Sequence, residues 1–276
     1  MTEITRIDNY EFDERFYQKI LDEKRFYAPS VTYVLGSVYP QDYGLTQWRG
    51  DVGNKRADEI LEETSEDGSF VHDAIDKMIK GEKITSETIS GRFSPRRSLK
   101  VKRCITAFLD WVDEFKPQFV SSEYIIWHPE LNYAGTVDAK CIINGQLYII
   151  DFKTSKSIHQ THKLQVTAYV AADDPTAIPA LLHLGNTTKR GYSFLEIDLD
   201  DRKKFWSHFS IALKMFNTLN PNAQPTSETF PEYFTLPKEY LNQMAGVTAA
   251  TVKAEIEKDK TIMARGKSKK FKEIIH

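Results

Sequence analysis

Apolar residues recur along the chain at helical or strand spacing, and the changes of period divide it into blocks. The first 28 residues are polar with scattered aromatics and predict a short strand and a helix. Pro29–Tyr39 (PSVTYVLGSVY) opens on a helix-start signal and then fits helix and strand equally well. Residues 45–63 take helical spacing through Trp48, Val52, Ala57, Ile60 and Leu61. Asp67-Gly68-Ser69 punctuates the chain, with Ser69 as N-cap of a helix over 70–80. Its stripe is Phe70, Val71, Ala74, Ile75, Met78 and Ile79, and Gly81 ends it. After a polar connection, residues 96–116 predict a helix carrying Leu99, Cys104, Phe108, Trp111, Val112 and Phe115, stopped by Pro117.

The period then shortens. Strands are expected at 119–127, 134–143 and 146–152, the last two joined by Asn144-Gly145, a strong hairpin signal. Helical spacing returns over 159–172, strands follow at about 178–185 and 191–198, and a helix over 200–217 closes the block. This order predicts an α/β core with a mixed sheet. Residues 1–219 form the expected domain, with a core at about 68–217 and a helical N-terminal layer at 29–67. Asn220–Thr229, rich in Pro, Asn and Ser, reads as a linker, and 236–276 as a helical tail that grows basic through Arg265, Lys267, Lys269, Lys270 and Lys272.

Composition narrows the classes. With 41% hydrophobic and 28% charged residues among 276, this is an ordinary globular protein. A formal charge of −2 gives no global sign of a polyanionic partner. Two cysteines, Cys104 and Cys141, exclude a disulfide scaffold and any four-cysteine zinc or iron–sulfur site made from this chain alone. They read as buried free thiols in a reducing compartment. No signal-peptide pattern opens the sequence and no apolar run approaches a membrane span. An intracellular, soluble protein with no membrane partner is expected.

The chemistry concentrates in Gly135–Lys153 (GTVDAKCIINGQLYIIDFK). Asp138 lies in one strand of the hairpin; Asp151 and Lys153 end the other, on one face. Twelve residues separate the aspartates, the span of a short hairpin, so both carboxylates can reach one end of the sheet. Mg²⁺ takes one or two carboxylates plus substrate phosphate, and a lysine beside them can hold a water or the charge developing at phosphorus. A lone Asp-x-Lys is commonly a solvated strand end. Asp151, however, follows Leu147-Tyr148-Ile149-Ile150, a strand that reads as buried on both faces, where a carboxylate is costly unless something binds it.

The segment GTVDAKCIINGQLYIIDFKTSK resembles the active-site hairpin of the PD-(D/E)XK nucleases, in the G-x-x-D…D-x-K-T form of the RecB-like exonuclease branch. Gln165 and Tyr169 (QVTAY) match that branch's helical pair, and His72 in GSFVHDAI matches its upstream histidine. PSVTYVLG, GLTQW and GSFVH are similar to pieces of phage-type and mitochondrial-genome-maintenance-type exonucleases, and the likeness spans about 29–217. Val137 stands where the superfamily's proline would, the second acid is aspartate, and the cysteines of cluster-bearing relatives are missing, so no iron–sulfur cluster is expected.

The resemblance implies a restriction-endonuclease-like core. It implies Mg²⁺ or Mn²⁺ held by His72, Asp138, Asp151, the Phe152 carbonyl and, tentatively, Glu123. Lys153 would orient water, with Gln165 and Tyr169 serving Lys153 or the strand. DNA, with single-stranded ends preferred, is the implied partner and exonucleolytic hydrolysis the implied activity; a flap endonuclease, a non-catalytic DNA-binding module and an interaction scaffold are the alternatives. Arg92, Arg96, Arg97, Lys100, Lys102 and Arg103, uninterrupted by acids, are candidate phosphate contacts, as is His162, one turn before Gln165. Tyr33, Tyr39, Tyr43 and Trp48 could stack bases or pack in the core, the latter favoured for Trp48.

Overall fold

The apolar run before Asp151 lies at the centre of a five-stranded sheet, as a strand buried on both faces requires. The computed structural model describes residues 3–9, 14–39 and 43–227, together with residues 254, 257 and 258. The sheet order is β4 (Gln118–Trp127), β5 (Ala134–Ile143), β6 (Gln146–Lys153), β7 (Ile178–Leu184), β8 (Tyr192–Glu196). β6 and β7 are parallel and the other pairs antiparallel, giving the expected mixed sheet. Asn144 and Gly145 both take positive φ (50° and 79°), the backbone that a two-residue hairpin with right-twisted strands needs.

Alternation along the central strands feeds two cores. Tyr148, Ile150 and Phe152 pack with α3 (Asn54–Ile79) and α5 (Pro95–Phe115). Leu147 and Ile149 pack with α1 (Val31–Val38), α6 (Gln160–Asp173) and α7 (Leu199–Leu219). Ile149 and Ile150 are each 0% exposed, and full burial of a side chain this size contributes about 1.5–3 kcal/mol. The parallel β6–β7 pair requires a crossover, and α6 supplies it.

Three expectations are corrected. Among the described residues of the first 28 there is no helix. They build an antiparallel sheet of β1 (Ile4–Asn9), β2 (Glu14–Leu21) and β3 (Lys24–Pro29). Its hairpin turns at Asp22-Glu23, both at positive φ (47° and 64°), so the glycine that normally announces such a turn is missing. Phe16 and Tyr17 are each 2% exposed and anchor β2.

Second, Asp67-Gly68-Ser69 does not start a helix. α3 runs through it, and the break falls at Gly53 (φ 87°), between α2 (Tyr43–Val52) and α3. Asp67 is buried as acceptor of Arg97 (2.7 Å) and Lys100 (3.3 Å) rather than serving a cap. Third, the polar connection before α5 holds a short helix, α4 (Ser86–Arg92), capped by Thr85, and Leu99 of α5 is 52% exposed rather than core.

Elsewhere the ambiguous stretch after Pro29 settles as helix, with the Ser30 hydroxyl accepting the Tyr33 amide. Tyr33 packs between Phe16 and Phe216 (ring centroids 5.4 and 5.3 Å), and Trp48 is half-buried.

The chain divides into a compact unit Met1–Thr226 and a second, Ser227–His276. The first is tied off at Thr226, whose amide and hydroxyl donate to Glu14 and whose carbonyl accepts from Asn9. Apart from Ala254, Glu257 and Lys258, which are helical, the expected basic tail lies outside the described residues. Among the described residues no helix is long and apolar enough to cross a membrane.

Both cysteines are buried and free, and burial pushes the Cys104 thiol up to about 11 and the Cys141 thiol up to about 12. Thiolate is the reactive species. In the native protein both thiols are therefore expected to resist an aromatic disulfide reagent over hours and to react within minutes in denaturant, read as absorbance released per chain.

Candidate active site

Register places three acids at one level on adjacent strands. Ser122 pairs with Ala139 and Tyr124 with Val137, which sets Glu123 of β4 opposite Asp138 of β5. The β5–β6 ladder runs from Ile143↔Gln146 to Ala139↔Ile150, so its next rung would pair Asp138 with Asp151. That rung is absent, because the strands part there. The Phe152 amide, which a continued ladder would engage, donates instead to Asp138 Oδ2 at 2.6 Å. Glu123 takes φ 44°, a backbone that non-glycine residues adopt rarely and that concentrates at functional sites.

α3 delivers the imidazole. His72 Nδ1 lies 3.1 Å from Asp138 Oδ1, with its ring edge-on to Phe152 (centroids 5.9 Å). Gly68 sits one turn earlier on the same helix face. A Cβ there would stand 3.0 Å from Thr154 Oγ1, just past the end of β6. Gly in a helix costs up to about 1 kcal/mol against Ala. Here it lets the helix approach the strand end, which accounts for the Gly-Ser-x-x-His spacing. Ligand atoms of His72, Glu123 and Asp138 all lie within 4.8 Å of one another.

Asp151 stands behind this group. Its Oδ2 faces the Lys153 ammonium at 2.7 Å, and its Oδ1 accepts from Gln165 Nε2 at 2.9 Å. Gln165 Oε1 in turn accepts from Lys153 at 3.1 Å, while Gln165 Nε2 also lies 2.8 Å from the Tyr169 hydroxyl. The pair four apart on α6 thus orients the Asp-x-Lys strand end. Tyr169 is buried, and a Cβ on Gly135 would fall 2.5 Å from its Cε1, so the glycine of G-x-x-D makes room for this ring.

Charge differs among the three acids. Burial alone would raise the Asp138 carboxyl, but His72, Lys153 and the Phe152 amide outweigh it and hold Asp138 below its usual range. Burial raises Asp151 to about 6, with Lys153 opposing and Asp138 adding to the shift. Partial burial, and then the charge of Asp138, raise Glu123 to about 7. Burial would lower His72, yet Asp138 prevails and its pKa is raised. Asp151 Oδ2 is buried without a directed hydrogen bond, although Lys153 offsets its charge. Clustered carboxylates with a neutral imidazole suit a hard or borderline divalent cation, the nitrogen favouring Mn²⁺.

No family model and no curated protein matches the chain. Among solved structures it is similar to a candidate exonuclease from Eubacterium rectale: 8% identity, 66% of this chain and 80% of that one, TM-score 0.40. It is also similar to SSO0001: 17% identity, 48% of this chain and 64% of that one, TM-score 0.29. Functional reading therefore rests on the side chains.

The other expected contacts are dispersed. Arg97 donates to Asp67 and Glu66 (2.7 and 2.6 Å), Lys100 to Asp67, Arg92 to Glu66 (3.4 Å) and Lys102 to Ser90 (2.8 Å); Arg96 and Arg103 are exposed. Much of this run thus braces α5 against α3. His162 Nδ1 accepts the His159 amide at 3.2 Å, and burial, then Lys153, lowers it to about 3, so its ring is neutral.

Sequence reasoning passed over another group altogether. The cavity at the site, about 570 Å³, is also lined by Arg6, Arg15 and Tyr17 of the N-terminal sheet and by Asp73 and Asp76 of α3. The Arg-x-Asp of β1, the Arg-x-Tyr of β2 and Asp76 one turn beyond His72 were the available signals.

Gly135→Ala is expected to destabilise the protein by about 1–3 kcal/mol in urea melts, from overpacking against a buried ring. The same change in a Tyr169→Ala background should cost far less; equal costs would refute the wedge. Mn²⁺ affinity, measured by calorimetry, is expected to fall by up to about a hundredfold per pH unit below about pH 6, because Glu123 and His72 must each lose a proton to ligate and both have raised pKa values. Proton release on binding should accompany it, and a flat profile counts against these ligands.

Proposed function

We propose that the protein is a divalent-metal-dependent deoxyribonuclease that hydrolyses phosphodiesters at the ends of single-stranded DNA. One observation carries this: ligand atoms of His72, Glu123 and Asp138 within 4.8 Å, set beside the Asp151–Lys153–Gln165 network.

His72, Glu123 and Asp138 would hold Mg²⁺ or Mn²⁺, with Asp151 and the Phe152 carbonyl as further oxygen ligands. When bound, the ion supplies Lewis-acid stabilisation of phosphoryl oxygen and a more acidic water. The rest falls to the chain. The Phe152 amide fixes Asp138, and His72 bonds its other oxygen. Lys153 Nζ, anchored by Asp151 and Gln165, has a third N–H to hold the attacking water or a phosphate oxygen. Asp151, with its raised pKa, can accept the proton that water loses. In-line attack at phosphorus then breaks the bond to the 3′ oxygen, leaving a 5′-phosphate and a 3′-hydroxyl.

Labelled linear and circular single-stranded DNA, incubated with Mn²⁺, Mg²⁺ or EDTA, tests the reading. Linear DNA should be degraded with either ion and spared in EDTA, circles should survive, and Asp151→Asn should slow hydrolysis by roughly 10²-fold or more. Cut circles would indicate an endonuclease. DNA retained but never hydrolysed would indicate a binding module and sink the proposal.

A further inference from the structure

Side-chain alternation reverses beside the candidate ligands, and it reverses on two strands at once. Residues two apart on a strand ordinarily share a face. Ser122 and Tyr124 do not: the Ser122 hydroxyl donates to Asp76 Oδ1 of α3 at 2.7 Å, whereas the Tyr124 hydroxyl donates to Asp173 of α6 at 2.8 Å. Their partners on β5 part in the same way. Ala139, opposite Ser122, packs in the core with α3 and α5, and Val137, opposite Tyr124, in the core with α1, α6 and α7. Both strands change face at the level of Glu123 and Asp138.

Glu123 carries the change on β4 through its positive φ of 44°. In an unbroken strand it would point away from Ser122, toward the layer of α6. Here it lies with Ser122 on the α3 side, where its carboxylate comes within 4.8 Å of ligand atoms of His72 and Asp138. A non-glycine residue keeps such a backbone only where its surroundings over-determine it. The sheet alone does not fix it, since β4 is an edge strand with one neighbour and its register with β5 passes over Glu123.

α3 supplies the constraint. Asp76 stands one turn beyond His72 on the same helix face, its side chain 14% exposed. Oδ1 accepts from Ser122, and Oδ2 accepts from the Lys80 ammonium at 2.7 Å, which fixes the carboxylate and balances its charge. Both oxygens are thus engaged, and Asp76 is not one of the three residues whose ligand atoms gather within 4.8 Å. Its place is behind the ligands.

We propose that Asp76 is a positioning residue: by gripping Ser122 it locks the reversal of β4 and keeps the Glu123 carboxylate turned into the metal site. The inference rests on the reading of His72, Glu123 and Asp138 as ligands of a divalent ion. One face of α3 then aims two of the three ligands, His72 directly and Glu123 through Ser122.

Calorimetric titration of the full chain with Mn²⁺, without DNA, tests this at about pH 8, above the value of about 7 to which Glu123 is raised. Ser122→Ala and Asp76→Ala should each weaken binding about tenfold, as loss of a partner behind a metal ligand does. The double variant should lose no more than either alone, because both cut the same bond. Ser122→Thr keeps the hydroxyl and should bind like the unaltered protein, which keeps the test decisive if Ser122→Ala folds poorly. In a Glu123→Gln background neither alanine change should cost anything further. Hydrolysis of linear single-stranded DNA is followed separately. If the alanine variants keep their Mn²⁺ affinity, or lose as much with Glu123→Gln as without it, the positioning role is wrong, and a protein that still hydrolyses DNA remains a nuclease. If they behave as expected in a protein that binds Mn²⁺ and hydrolyses no DNA, the nuclease reading fails and the positioning role stands. Absence of Mn²⁺ binding in the unaltered protein overturns the role.

Discussion

The site depends on a single substitution of partners: the Asp138 carboxylate takes the place of a backbone acceptor in the sheet. Two strands held by a regular ladder leave no gap for a ligand. Once the ladder stops at Ala139↔Ile150, the Phe152 amide needs another acceptor, since an unpaired buried amide costs about 1–3 kcal/mol. Asp138 Oδ2 provides it at 2.6 Å, and in doing so is fixed with Oδ1 turned toward His72. Splitting the strands and aiming the carboxylate are one event. A neutral asparagine could still accept that hydrogen bond, but it could not supply the charge that raises His72.

Everything nearby serves that opening from two directions. From one layer α3 comes close because Gly68 has no side chain to meet Thr154, and His72 arrives one turn later. From the other, α6 brings Gln165, which bonds both Asp151 and Lys153, and Tyr169, which fills the space Gly135 leaves. The glycines are therefore as specific as the charged residues, for they decide how near each layer comes.

How much of this was legible follows from what each signal encodes. The hairpin at Asn144-Gly145, the central strand before Asp151 and the helical spacing of Gln165 and Tyr169 are local patterns, and the structure has each of the three elements. The N-terminal sheet was missed because its turn uses Asp22-Glu23 in a backbone that usually announces itself with glycine. Gly68 was read as a stop, since sequence shows the cost of glycine in a helix and hides the contact that makes it necessary. The basic run at 92–103 looked like an open phosphate surface, but the acids that neutralise Arg97 and Lys100 lie some thirty residues away, on α3. Long-range pairing of this kind has no periodicity to read.

The two central aspartates stand in unlike surroundings. They stand at the same level on neighbouring strands, yet their surroundings drive them in opposite directions: Asp138 is held low by His72, Lys153 and the Phe152 amide despite its burial, and Asp151 is raised to about 6 by burial that Lys153 only partly offsets. Environments that separate two like groups in this way commonly separate their roles. A carboxyl that stays ionised keeps a ligand position ready, and one poised near neutrality can take up and release a proton. On this reading the sheet does more than gather acids. By opening between β5 and β6 it gives one of them a backbone amide and an imidazole, and leaves the other with a lysine and a glutamine. That asymmetry suits the proposed hydrolysis, which must both hold an ion and move a proton.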